Sequence, residues 1–318
     1  MTYNIDKLFA SAAEKGHVCA GLYTCADYVP AGERRKAAND AQAVLAFNTA
    51  LIDALIDVAA CFKVQIAYYE EMGIEGLCAY RETLKYIRKK GGIVIADIKR
   101  GDIADTAVRY ARAHFAGDFE ADFVTLSPYM GMDSCEPWLE YASGKGKGAF
   151  VLMRTSNKGM RDFQYLTVNS DLLTKNEERL TAGSCVNRSQ SMVNEERRVY
   201  RVVGDKLADL AKQYKCGCGY GVFGAVVGCT ERDEAAEIRK NYPELFFLIP
   251  GYGAQGGGAK DAALLLREGN GGVVNASRSI ITAWQSAENN EKADNQFAAE
   301  AARNAAVRMR GEIRVEVS

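Results

Sequence analysis

Histidine is nearly absent. The 318-residue chain carries two, His17 and His114, too few for a metal site built on imidazoles, so no metal centre is expected. An excess of one charge sign is missing as well. Lys and Arg number 40 against 41 Asp and Glu, a formal net charge of -1, which offers no broad attraction to nucleic acid or an anionic membrane. No apolar run approaches the roughly 20 residues that a membrane helix needs. The opening stretch, MTYNIDKLFASAAEKGHVCAG, lacks the basic segment and apolar core of a secretory leader. A cytoplasmic protein with a small-molecule partner is expected.

Cysteine supplies no framework. Nine are scattered at irregular spacing, several inside apolar runs where they read as small buried hydrophobes. An odd, unpatterned number suits a reducing compartment. The close pair Cys216-Gly-Cys218 lacks the two-residue spacer of zinc and thioredoxin motifs.

What the chain has in abundance is alternation. Short apolar runs at 17–22, 61–66, 92–97, 121–126, 148–153, 222–228, 245–250 and 271–276 are each followed by a segment with helical spacing. Those helices are predicted near 39–58, 76–90, 103–116, 134–142, 194–214, 231–240, 259–268 and 291–310. In the first, Val44, Phe47, Leu51, Ala54, Leu55 and Val58 form one apolar stripe able to pack on a sheet. Such alternation predicts parallel strands joined by crossover helices. Eight units without a change of composition predict an α/β fold, a single (β/α)8 TIM barrel with a closed parallel sheet over residues 1–318, in preference to an open doubly wound sheet. The segment from about 160 to 194 breaks the rhythm, being polar and longer than most loops. It has no Gly-rich or aromatic tip and reads as a surface excursion rather than a lid.

The third apolar run ends in IADIKRGDIADTA. Side chains at i and i+2 share a strand face, so Asp97 and Lys99 point the same way at the C-terminal rim, where barrel active sites are built. Asp102 lies one short turn later, within reach of the same Lys99 or of a neighbouring subunit. A single Asp there would read as a helix cap. Two carboxylates around one ammonium, beside a buried strand, read as a functional cluster. Flanking carboxylates favour the charged lysine, which makes it a poor base and suits it to deliver a proton to a carbanion.

The last two units carry the second signal. PGYGAQGG (250–257) follows the seventh run and VNASRSI (274–280) the eighth. Loops after barrel strands seven and eight commonly hold phosphate through backbone N–H groups and a helix N-terminus. Arg278 is placed for a bidentate contact and Gln255 to fold over the ligand.

With these segments assembled, the chain resembles the orotidine 5'-phosphate decarboxylases in their longer bacterial form, from about Val18 to Trp284. The resemblance rests on FKVQIAYYE (62–70), ADIKRGDIADTA (96–107), SPYMGMDSCEP (127–137), RTSN (154–157), GAVVGCT (224–230), PGYGAQGG and NGGVVNASRSI (270–280). It implies cofactor-free decarboxylation of orotidine 5'-monophosphate (OMP) to uridine 5'-monophosphate (UMP) in pyrimidine biosynthesis. Lys99 would protonate C6 of the pyrimidine, Asp97 would lie beside the departing carboxylate, and Lys63 would complete the charged array and touch the ribose. Asp102 and Thr106 would reach into the partner's site, implying a homodimer with shared active sites. Ser156 would contact the pyrimidine, Gln255 would bridge base and phosphate, and Arg278 would bind the phosphate with backbone N–H groups near Gly257 and Ser277.

The chain departs from the family pattern at Tyr23, where the first strand normally ends in an Asp that binds ribose hydroxyls, and at Lys158, usually Pro. A phenol is neutral near pH 7, so one charge of the array is missing and the ring is set to enter the ribose pocket; Asp27 lies four residues on. Two rivals follow: a nucleotide-binding protein with little turnover, and a metal-dependent sugar-phosphate lyase or epimerase, which shares D-x-K-x-x-D but not PGYGAQGG and RTSN.

Overall fold

The computed structural model describes residues 2–169, 196–253, 255–288 and 290–317. Most of the polar segment expected at 160–194 therefore lies outside the described residues. Ten strands are described: β1 (Val18–Leu22), β2 (Cys61–Gln65), β3 (Val94–Arg100), β4 (Phe123–Leu126), β5 (Gly148–Arg154), β6 (Thr167–Asn169), β7 (Glu196–Arg198), β8 (Phe223–Val227), β9 (Phe247–Ile249) and β10 (Gly272–Ala276). Eight of them close a parallel barrel in the order β1-β10-β9-β8-β5-β4-β3-β2. The remaining two, β6 and β7, form an antiparallel pair at the foot of the polar segment.

Burial explains why the strands are visible as unbroken apolar runs. Every residue of β1, β4, β8, β9 and β10 is buried, as expected when one face fills the barrel and the other lies under helices. The helix Asp40–Leu55 illustrates the outer layer. Asn39 caps it by accepting from the Gln42 N–H at 2.9 Å, and Val44, Phe47, Leu51 and Leu55 are fully buried. Each large apolar side chain so buried contributes about 1.5–3 kcal/mol. The helix stops at Leu55, short of the expected residue 58. The last helix is instead longer than expected, Asn295–Val317.

A helix that the alternation of runs does not announce, Asn4–Lys15, covers the N-terminal end of the barrel. Ile5, Leu8 and Ala12 form its buried face. Its polar side chains tie loops that enter three strands: Ser11 Oγ donates to the Ala60 carbonyl, Asn4 Nδ2 to Asp122 Oδ1, and Asp6 Oδ1 accepts from the Cys218 N–H. With that end covered, the C-terminal rim is the open face. No helix among the described residues is long and apolar enough to cross a membrane.

Candidate active site

Strand register brings the charges together. Gly21 pairs with Lys63, Lys63 with Ile95, and Gln65 with Asp97, which puts Lys63 and Asp97 on the interior face near the rim. Both side chains are buried, at 3% and 4% exposure. Asp97 receives four donors. Lys63 Nζ and the Tyr23 hydroxyl, each at 2.6 Å, reach Oδ2; Lys99 Nζ at 2.6 Å and Thr125 Oγ1 at 2.9 Å reach Oδ1. A carboxylate has about four acceptor positions, so this one is saturated. Burial pushes the Asp97 carboxyl up, but the Lys63 and Lys99 charges outweigh it and hold the group far below the usual carboxylate range. Burial also pushes the Lys63 ammonium down, against the opposing pull of Asp97.

Within one chain the expected arrangement of two carboxylates around one ammonium does not form. The chain places one carboxylate between two ammonium groups. Asp102 is half-buried, accepts from the neighbouring Ile103 N–H at 2.9 Å, and forms no ion pair among the described residues. Thr106 is exposed on the helix Ala104–Phe115. The physical reason is backbone shape. Lys99 has φ 46° and Ala104 φ 49°, left-handed values that cost a non-glycine residue about 1–2 kcal/mol. The register with β4 shifts between Ala96 and Arg100. Thr125 Oγ1 accepts from the N–H of both Ile98 and Lys99 at 3.0 Å, which pins the irregular end of β3. Strain held in this way keeps Lys99 turned back to Asp97 while the chain carries Asp102 outward.

Tyr23, just beyond β1, is interposed between the cluster and the cavity beside it. Its ring centroid lies 4.2 Å from Lys63 Nζ, its hydroxyl accepts from Lys63 and donates to Asp97, and its ring packs 5.6 Å from that of Tyr68. Asp27 takes no part in the cluster: it is exposed and ion-paired with Arg34 at 2.8 Å.

The neighbouring cavity, of about 430 Å³, is lined by Tyr23, Gln255, Ser277 and Arg278 among others. Four of the expected binding residues therefore meet there. Ser277 Oγ donates to the Gly21 carbonyl, tying β10 to β1, whereas the exposed Arg278 guanidinium has no hydrogen bond or ion pair among the described residues. Ser156 sits under the ends of β8 and β9, where a Cβ on Gly228 would lie 2.8 Å from the Ser156 Cβ. Gly257 is held in a tight turn. Its N–H donates to the Gly251 carbonyl at 3.1 Å and its carbonyl accepts from Gly253, and a Cβ there would meet Cys229 Sγ at 2.5 Å. Its amide is committed to the turn.

Known proteins agree with the fold. The family model described as "Orotidine 5'-phosphate decarboxylase / HUMPS family" matches residues 44–293. The chain belongs to that family. Orotidine 5'-phosphate decarboxylase of Clostridium tetani is 49% identical over 309 residues, 97% of each chain, and that of Clostridium acetobutylicum 51% identical over 310 residues, 98% of each. A crystal structure of a putative orotidine 5'-phosphate decarboxylase from Streptomyces avermitilis superposes with TM-score 0.72 at 27% identity, over 100% of this chain and 96% of that one.

Family membership does not reveal every residue of this rim. Thr125 escapes the sequence motifs, although it lies two residues from Phe123 and so shares that residue's inward face. Tyr68, Tyr252 and Asn275 line the cavity as well. Tyr68 lies in plain view in the FKVQIAYYE segment.

Proposed function

We propose that this chain decarboxylates OMP to UMP, with Lys99 supplying the proton at C6. The observation that carries the reading is the 2.6 Å contact of Lys99 Nζ with Asp97 Oδ1, on the same rim as a cavity lined by Gln255 and Arg278. In the proposed reaction the bond between C6 and the carboxylate carbon breaks, carbon dioxide leaves, and the electron pair stays on C6. An N–H bond of Lys99 then breaks as the C6–H bond forms. Lys99 is left as a neutral amine and regains a proton from water, which its 47% exposure supports. A fixed ammonium stabilises charge as it develops at C6 without reorganising. Binding energy from the phosphate at Arg278 is available to hold the reacting end in place.

Asp97 is assigned to lie beside the departing carboxylate and to orient Lys99, with Lys63 and Thr125 holding it. Ser156 and Gln255 are assigned to the base, Arg278 and backbone near Ser277 to the phosphate. The committed amide of Gly257 argues that a neighbouring N–H serves in its place. No metal or organic cofactor is assigned, and nucleic acid and membranes are not among the proposed partners. Half-buried Asp102 and exposed Thr106 flank the exposed Ile103 in sequence, and both are assigned to a homodimer in which each reaches the partner's site. A cytoplasmic location fits a soluble metabolite as substrate.

Tyr23 favours a second reading, a nucleotide-binding homologue with weak turnover, because its hydroxyl engages both Lys63 and Asp97. Following the absorbance lost from OMP, alongside calorimetric titration with UMP, separates the two. Turnover that disappears with Lys99→Ala supports the decarboxylase. UMP binding without turnover supports the second reading, and neither binding nor turnover would overturn both.

A further inference from the structure

We propose that the phosphate end of the rim cavity continues into a second anion pocket at Arg308, and that the two together accept the polyphosphate tail of a nucleoside triphosphate. The inference rests on the reading of the rim cavity as a nucleotide site.

A second cavity of about 500 Å³ adjoins the first, and Arg278 and Ser279 line both. They are the shared wall between a space bounded by Gln255 and Tyr23 and a space bounded by the helix Asn295–Val317. Beyond that wall the lining has one strongly charged group, Arg308, with Asn304 one turn before it on the same helix. Alanines at 283, 301 and 305 leave the space open, and no carboxylate lines it among the described residues.

Charge pairing separates the two arginines from several nearby ones. Arg303, on the same helix, is held by both carboxylate oxygens of Asp57 at 2.5 and 2.7 Å. Arg34 is held by Asp27 and Asp40. The nearby Glu312 carboxylate is engaged by the Tyr252 hydroxyl. Arg278 and Arg308 have neither ion pair nor side-chain hydrogen bond among the described residues. Two uncompensated guanidinium groups in one trough make a local positive field in a chain whose formal net charge is -1. Their planar forks match phosphate oxygens bidentately.

A monophosphate in the first cavity meets Arg278 and goes no further. A longer tail passes Arg278 and Ser279 and meets Arg308, so a triphosphate gains an interaction that a monophosphate lacks. It also occupies the substrate's place, and acts as a competitive inhibitor of OMP turnover.

The test is calorimetric titration of the full chain with UMP and with uridine 5'-triphosphate (UTP), repeated for Arg308→Ala and Arg308→Glu, with inorganic tripolyphosphate as a third probe. Arg308→Ala removes one charge-assisted hydrogen-bonding group from the phosphate tail, so UTP binding should weaken by about tenfold or more, and further in Arg308→Glu, with UMP affinity unchanged. Arg278→Ala is expected to weaken both nucleotides. Tripolyphosphate alone should bind more weakly than UTP, since it does not fill the first cavity. If UMP binds and UTP affinity is the same in wild type and Arg308→Ala, the inference is overturned and the nucleotide reading stands. If UMP does not bind, both are overturned.

Discussion

Lys99 Nζ and Lys63 Nζ each lie 2.6 Å from the carboxylate of Asp97, one on either oxygen. The two lysines differ in everything but that contact. Lys63 is sealed in the barrel, while Lys99 is about half exposed. A single buried anion therefore anchors one cation that cannot move and one that can meet a ligand. The consequences are separable by mutation.

Removing the anchor is expected to destabilise the fold. Asp97→Ala leaves the Lys63 ammonium buried beside Tyr23 without its counter-charge, a change that typically costs about 3–5 kcal/mol. Urea unfolding at pH 7 should show that loss. Lys99→Ala should leave the midpoint nearly unchanged, because Asp97 keeps Lys63, Tyr23 and Thr125 as donors. Equal effects of the two substitutions would contradict the division of roles.

Tyr23→Asp is expected to raise kcat/KM for OMP by about tenfold or more, the scale of one charged interaction restored near the reacting centre. An Asp would accept from Lys63 without donating to Asp97 and without placing a ring in the cavity. Steady-state rates of the two proteins decide this. No gain, or a loss, would mean that the phenol takes part in the site as it stands.

The proposed sharing of sites between subunits predicts complementation. Lys99→Ala and Asp102→Ala should each be inactive, yet a mixture refolded together should recover about a quarter of wild-type activity, since half of the pairs are then mixed and each carries one intact site. Activity that stays at the level of the separate variants would place Asp102 outside the partner's site.

Acid should loosen the outer layer through His114. The ring is buried, packed 5.9 Å from Phe119 and 6.5 Å from Trp138, and its Nδ1 has no partner among the described residues. Burial, with the Arg100 charge adding to it, holds its pKa down to about 4. The unfolded chain takes that proton near pH ~6.5, so the stabilisation is complete above that pH and is lost as the pH falls towards 4. The full effect is about 3 kcal/mol, of which roughly 2 kcal/mol is gone by pH 5. Urea unfolding at pH 7 and 5 should show a fall that is smaller by that amount in His114→Phe. Identical pH dependence in the two proteins would remove His114 as the cause.

The barrel is legible in the sequence because buried parallel strands are unbroken apolar runs, and the eight runs match the eight barrel strands to within a few residues. The charge cluster is legible as a place and misleading as an arrangement. Proximity along the chain suggests that Asp97 and Asp102 crowd Lys99, but the positive φ at Lys99 and the shifted register of β3 send Asp102 away. Lys63, 34 positions from Asp97, arrives through the pairing of β2 with β3, which neither segment announces by itself. Thr125 is unreadable for a related reason: a threonine in a strand is an ordinary β-former, and its hydrogen bond to Asp97 exists only once β4 lies against β3. The Asn4–Lys15 helix is readable from Ile5, Leu8 and Ala12, whose spacing is helical.

The most direct measurement is OMP turnover by wild type and Lys99→Ala in deuterium oxide, with the product examined by proton NMR. UMP carrying deuterium at C6 is expected from the wild-type chain, and a rate lower by about a thousandfold or more when the ammonium is removed. Product formed at an undiminished rate by Lys99→Ala would contradict the role given to that ammonium.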